Sequence, residues 1–344
     1  MQVEFTSPAP VTDGSGRPGN FGWARRPGLL VPPGDAPLSP RKVSASDRYV
    51  VFNRTHTVVF EVRDDGLLGH MCVSVAFRRD GKRSTKTVRT LLPLGAYRLP
   101  ADSEGEPLRY RRAGTTLDFV PREGGIRILR AEIPRFGSSG SLRGELVLGP
   151  PEAGSGTESL FCNQGWPGNP AAFRFLRCSP WYSVEGVVQL GHTELVFAKG
   201  GSWGVFDWRR GVRPRFDLGR WACAAGSSGS RQIGLCVGHG GGDSSAGTEN
   251  AFFVDARLHK LERVTFSIPS GGSPSPWQIS GDDGRLRMTF APRQERRERQ
   301  SFLYHSLSRR QFFGTFSGSV VLDDGTSLDF DQLSGFAERS KLRF

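Results

Sequence analysis

Lysine is scarce in this chain. Of its 46 basic residues only Lys42, Lys82, Lys86, Lys199, Lys260 and Lys341 are lysines, so the formal net charge of +12 is carried by arginine. Cysteine is sparse too: Cys72, Cys162, Cys178, Cys223 and Cys236. Their number is odd and no two stand at C-x-x-C spacing, which argues against a disulfide framework or a structural zinc site. Buried free thiols in a reducing, cytoplasmic setting are the expectation. No apolar run approaches the length of a membrane span. Residues 1–10 lack the basic and apolar regions of a secretory leader, so none is expected. Helix signals are few, the best being a short stretch at 301–307. The histidines at 56, 70, 192, 239 and 305 form no metal-ligand spacing. With no G-x-S-x-G segment and no Cys/His arrangement, hydrolysis through a covalent intermediate has no support.

Glycine and proline are plentiful, at 45 and 23 residues. Between them lie short Val/Phe/Leu-rich runs, at 49–52, 57–62 and 71–77 in the first half and at 184–190, 203–208, 221–225 and 232–237 in the second. This pattern predicts an all-β chain. The segment Phe119-Val120-Pro121-Arg122-Glu123 is echoed by Phe290-Ala291-Pro292-Arg293-Gln294, an offset near half the chain that suggests tandem duplication. Two β domains follow, and barrels or closed sandwiches are favoured because they remove exposed strand edges. The expected layout is an arm over 1–45, a first domain over 46–175 and a second over 176–344, with 150–156 as loop or linker. The arginines gather only locally, as at Arg109-Tyr110-Arg111-Arg112 and Arg296-Arg297-Glu298-Arg299. No nucleic-acid motif accompanies them, so no nucleic-acid partner is expected.

One stretch stands apart, Gly204-Val205-Phe206-Asp207-Trp208-Arg209-Arg210-Gly211 with Trp203 before it. As a strand it places Trp203, Val205, Asp207 and Arg209 on one face and Phe206, Trp208 and Arg210 on the other. Asp207 then has two readings. Among apolar neighbours, desolvation keeps its carboxyl protonated as a proton donor; alternatively it pairs with Arg209 or Arg210 and fixes the strand. Glu249 is a candidate second carboxyl and His259 a candidate proton shuttle. Their plain alternatives are a loop hydrogen bond and a satisfied hairpin histidine. Trp203, Trp208, Trp221 and Trp277, with Arg210 and Asn250, are candidate ligand contacts, although aromatic rings of this kind also serve as simple core. The run Gly238-His239-Gly240-Gly241-Gly242-Asp243 lacks a following helix and Lys-Ser/Thr, which excludes a P-loop and makes it a hairpin loop.

Further blocks join this one in order: Thr248-Glu249-Asn250-Ala251-Phe252-Phe253-Val254-Asp255, Leu258-His259-Lys260-Leu261, Pro276-Trp277, Phe313-Gly314-Thr315-Phe316-Ser317-Gly318 and Gly335-Phe336-Ala337-Glu338. With Gly22-Trp23-Ala24-Arg25 and Leu92-Pro93-Leu94-Gly95, they make the chain resemble the bacterial family catalogued as domain of unknown function 2804 over nearly its whole length. The layout is similar to tandem lipocalin-like proteins that include carotenoid hydratases, tocopherol cyclase and fungal Diels–Alderase-type cyclases. The resemblance implies two lipocalin-like barrels and an acidic proton donor at the place of Asp207. It also implies cofactor-independent cyclisation, hydration or isomerisation of a small, largely apolar or amphipathic metabolite, with neither organic cofactor nor metal. A carrier for lipid or pigment is the alternative. Trp221-Ala222-Cys223 and Arg213 depart from the family's aromatic pattern, which implies a wider or more polar pocket.

Overall fold

A computed structural model describes residues 2–13, 15–30, 43–151, 156–269, 275–303 and 305–343. The arm contributes three short strands, β1 (Ala9–Pro10), β2 (Gly22–Ala24) and β3 (Leu29–Leu30). Next come β4 (Val43–Phe52), β5 (His56–Asp64), β6 (Leu68–Phe77) and β7 (Arg83–Leu91). They are followed by β8 (Leu108–Arg112), β9 (Thr115–Pro121), β10 (Arg127–Ile133) and β11 (Leu142–Gly149). β12 (Leu160–Trp166), β13 (Asn169–Leu190), β14 (Thr193–Phe197) and β15 (Trp203–Val212) complete the first sheet, which runs β7-β6-β5-β4-β15-β13-β11-β10-β9-β8. β12 and β14 pair along β13, and β2 along β12.

The second sheet starts at β16 (Phe216–Ser228) and β17 (Arg231–His239), followed by the hairpin β18 (Ala251–Val254) and β19 (Arg257–Lys260). β20 (Val264–Ser267), β21 (Trp277–Gly281), β22 (Leu286–Phe302), β23 (His305–Val321) and β24 (Ser327–Arg343) follow, in the order β19-β18-β17-β16-β24-β23-β22-β21-β20. The protein is all-β, two tandem curled sheets close to barrels. Among the described residues the only helical turns are Glu123–Gly125 and Gly137–Ser139. Curling brings flanks together: the Ser84 and Ser139 hydroxyls meet at 2.6 Å, and His239 Nδ1 donates to the Val264 carbonyl at 3.1 Å.

The sheets change between Val212 and Phe216. The expected boundary at 175/176 falls inside the continuous strand β13, and the loop expected at 150–156 joins two strands of the first sheet. Residues 152–155 of that loop lie outside the described residues. The expected helix at 301–307 is instead the tip of the β22–β23 hairpin, where Phe302 faces His305. Both strands there are held by their long antiparallel register, which local helix propensity cannot match.

The second sheet lays its outer face against the outside of the first. β5 is buried along its whole length and β6 everywhere except Phe77, because one face meets the first barrel's interior and the other meets the second sheet. One apolar cluster therefore joins Val50, Phe60 and Leu176 to Phe313 and Phe336, while Ile233, Phe266 and Phe290 fill the second barrel by themselves. Cys178 on β13 and Cys223 on β16 bring their sulfurs to 3.7 Å across this joint. β17 approaches β13 so closely that a Cβ on Gly234 would sit 2.1 Å from the Pro180 carbonyl oxygen, and only glycine fits.

Candidate functional site

β15, the unusual stretch, lies at the middle of the first sheet between β13 and β4. Next to its last residue, Gly211 lies so close to β13 that a Cβ there would fall 2.1 Å from the Phe173 carbonyl oxygen. Side chains alternate as strand geometry requires. Phe206 stacks on Tyr49 at 4.6 Å under the Arg127 guanidinium, and Trp208 meets Phe175 edge-on at 5.5 Å. Arg210, on that same face, donates to Asp47 at 2.8 Å and to the Pro100 carbonyl.

Asp207 and Arg209 point the other way, toward the second sheet. Asp207 is buried and accepts from Arg48 Nη2 at 2.5 Å and from Arg209 Nε at 2.8 Å. Burial pushes its pKa up, but the two guanidiniums outweigh that and hold it below the ordinary carboxylate value. Asp207 is thus a carboxylate. Of the two readings of Asp207 this geometry fits the ion pair: the pairing with Arg209 is found, and Arg210 meets Asp47 instead. Arg48 also donates to Glu338 on β24 at 2.7 Å, which ties β15 and β4 to the second sheet.

The network continues along the joint. Arg309 on β23 spans Glu61 on β5 at 2.8 Å and Glu298 on β22 at 2.9 Å, and Arg63 reaches Glu298 at 2.8 Å. Burial raises the pKa of both glutamates, yet Arg309 and Arg63 more than offset it and hold them well below the ordinary range. His70 lies against the same pair with Nδ1 on the Gln300 amide, and burial pushes its pKa down to about 4. Glu61, His70 and Glu298 bring ligand-type atoms within 4.8 Å of one another. The oxygens that would hold a cation are already taken by Arg63 and Arg309, so this donor set is built for guanidinium rather than for a metal.

At one end of the joint the packing opens into a cleft of about 140 Å³. Arg48, Arg63, Arg174, Arg209, Arg213 and Arg309 line it against Glu61, Asp207, Asp217 and Glu338, with Phe173, Val212, Leu307 and Leu342 as an apolar wall. The arginines outnumber the carboxylates, so the cleft is electropositive and amphipathic. It is fitted to hold an anionic group or to stabilise negative charge as it develops.

The other candidate residues are dispersed around this cleft. Glu249 accepts from Arg174 at 2.7 Å and so steadies a residue of the cleft wall without lining it. Trp221 carries the Arg209 guanidinium over its ring at 4.7 Å. Asn250 braces its own loop, accepting from the Gly238 amide and donating to the Glu262 carbonyl. Trp203 starts β15 half-buried, Trp208 is first-barrel core, and Trp277 packs on Phe290 and Phe312 in the second barrel. His259 sits on β19 beside Asp323 at 3.5 Å, away from the cleft, as a hairpin histidine.

Arg48, Glu61, Arg63, Glu298, Arg309 and Glu338 were not legible as a site. Their signal was charge at alternate positions inside apolar strands, as in Phe60-Glu61-Val62-Arg63. Asp47 and Asp64 are buried acids whose pKa does rise: desolvation outweighs Arg210 at the first and the Gly66 and Gly95 amides at the second.

The family model described as Domain of unknown function (DUF2804) matches residues 2–344. No curated protein matches. Among solved structures, CghA with Sch210972 is similar at 12% identity and a TM-score of 0.51, over 90% of each chain. A provisional AttH from Nitrosomonas europaea is similar at 12% identity and 0.50, over 91% of this chain and 98% of that one. Kievitone hydratase from Nectria haematococca follows at 10% identity and 0.46, over 88% and 89%. At such identities the likeness is one of fold.

Proposed function

Since the chain belongs to the DUF2804 family, whose description assigns no activity, we propose a function from the cleft itself: binding of a small amphipathic metabolite and its cofactor-independent cyclisation, hydration or isomerisation. The carrying observation is the cleft between the sheets, where guanidiniums outnumber carboxylates beside an apolar wall. A cavity of roughly 150 Å³ accepts a benzene-sized molecule, so the reacting part of the ligand is about one ring in size. CghA, a protein of this fold, was solved with Sch210972, which supports a ligand-holding role for the architecture. Arg209, fixed by Asp207 and Trp221, stabilises negative charge building on the ligand, while Leu307 and Leu342 take its apolar part. This favours isomerisation or cyclisation in which negative charge develops on the ligand over protonation by Asp207. The two-domain layout and a cytoplasmic setting, consistent with five buried free thiols, belong to the same proposal. Among the described residues no helix is long and apolar enough to cross a membrane.

A carrier is the second reading, and one observation favours it. Asp207 and Glu61 are both held below ordinary carboxylate values, so neither offers a proton near neutral pH. Native mass spectrometry of freshly purified protein should reveal a passenger. Incubating the released compound with the protein then separates the readings. Conversion by wild type that drops roughly 10²–10³-fold in Arg209→Gln identifies the enzyme. Binding without conversion identifies the carrier, and neither passenger nor conversion sinks both.

A further inference from the structure

The second barrel has a feature that the cleft does not use. Val237, Ala222, Ala337 and Phe312 are cross-strand neighbours on β17, β16, β24 and β23, and together they close the barrel's apolar core. Two residues further along each strand, on the same face, the register places His239, Arg220, Arg339 and Arg310 side by side, and Arg297 on β22 extends the row. Lys341 stands in the next row, opposite Leu218 and Ser308. Like charges directly opposite one another on adjacent strands destabilise a sheet, yet here they recur across neighbouring strands about 4.8 Å apart.

The back of these strands shows the contrast. There Arg309 and Arg296 meet Glu61 and Glu298, whereas in the row only Glu295 provides an anion, for Arg310 and Arg297. Among the described residues Arg220, Arg339 and Lys341 make no ion pair; Lys341 rests over the Phe216 ring. The row opens onto a groove of about 510 Å³ at the barrel mouth, lined by no carboxylate. We propose that this groove binds a compact oligophosphate, either free or as the phosphate chain of a nucleotide. Arginine forks match phosphate oxygens, and several anionic groups on one short chain relieve the whole row at once. The groove is concave and walled by Gly240 and Gly241, which suits a discrete ligand better than a duplex or a lipid surface.

Calorimetry of the full chain with sodium tripolyphosphate, at ionic strength matched by sodium chloride, tests this. One binding event per chain is expected, weakened about tenfold or more in Arg339→Gln and Arg220→Gln. Arg287→Gln, on an exposed position of β22 away from the groove, should leave it unchanged. Without ligand, Arg339→Gln should melt at or above the wild-type temperature, because a repulsion is removed. A nucleoside triphosphate binding as well as tripolyphosphate assigns the affinity to the phosphates; tighter binding adds a nucleoside contact to the same site. Heat that sodium chloride reproduces, equal loss in Arg287→Gln, or binding only of duplex DNA or anionic vesicles would overturn the proposal.

Discussion

Asp207 is buried and held by two cations, Arg48 and Arg209. Asp207→Asn keeps the shape but leaves both guanidiniums short of charge, and breaking a buried pair in this way costs about 3–5 kcal/mol. A clear fall in melting temperature is therefore expected, whatever happens to activity; an unchanged melt would mean that the pair is solvated. His70 gives part of the pH dependence. Its folded pKa of about 4 lies below the ordinary 6.5, so the unfolded chain takes up the proton first. Stability from this residue is full above pH 6.5 and drains as pH falls toward 4, on the order of 3 kcal/mol. Denaturant midpoints measured between pH 7 and 4 should show that slope added to those of His56 and His305, whose pKa burial also pushes down to about 4, and His70→Gln should remove its own share. The alternation in 203–210 was legible because strand period is local. The partners of Asp207 were not, since Arg48 stands 159 residues away and nothing local pairs them.

Strands whose residues alternate between apolar and polar were legible as elements, and those with charge on both faces were not. β22 shows why. Its first half, Leu286 to Phe290, has the apolar alternation of a barrel strand, while Gln294-Glu295-Arg296-Arg297-Glu298-Arg299 has no apolar face at all. It is nevertheless a strand, because its neighbours supply ion partners behind and solvent in front. The missed extent of β13, expected only over 184–190, has the same origin: register with distant strands, not local pattern, carries it on. Close packing between elements sets another expectation. Gly234→Ala forces a Cβ into the Pro180 carbonyl, and overpacking of this kind costs about 1–3 kcal/mol. A lowered melting temperature with strand content retained in circular dichroism would match, and a neutral effect would mean that β13 and β17 can move apart freely.

At the scale of the whole molecule the two sheets share one apolar cluster and one ion network. Neither half can expose its side of the joint without uncovering buried charge, so thermal unfolding should be a single transition seen alike by near- and far-UV dichroism. Two resolved transitions would show that the halves melt separately. That the chain is all-β and in two parts was legible from its turns and short apolar runs; where one part ends was not, because β15 belongs in space to the strands before it. The cysteines of the joint carry a last consequence. Cys178 and Cys223 have no exposed surface, and burial holds their thiols well above the ordinary pKa, so an alkylating reagent reaches them only while the sheets are parted. The rate at which a maleimide is taken up at these two sulfurs of the folded protein is therefore a clock for that breathing, and a ligand seated in the cleft should slow it.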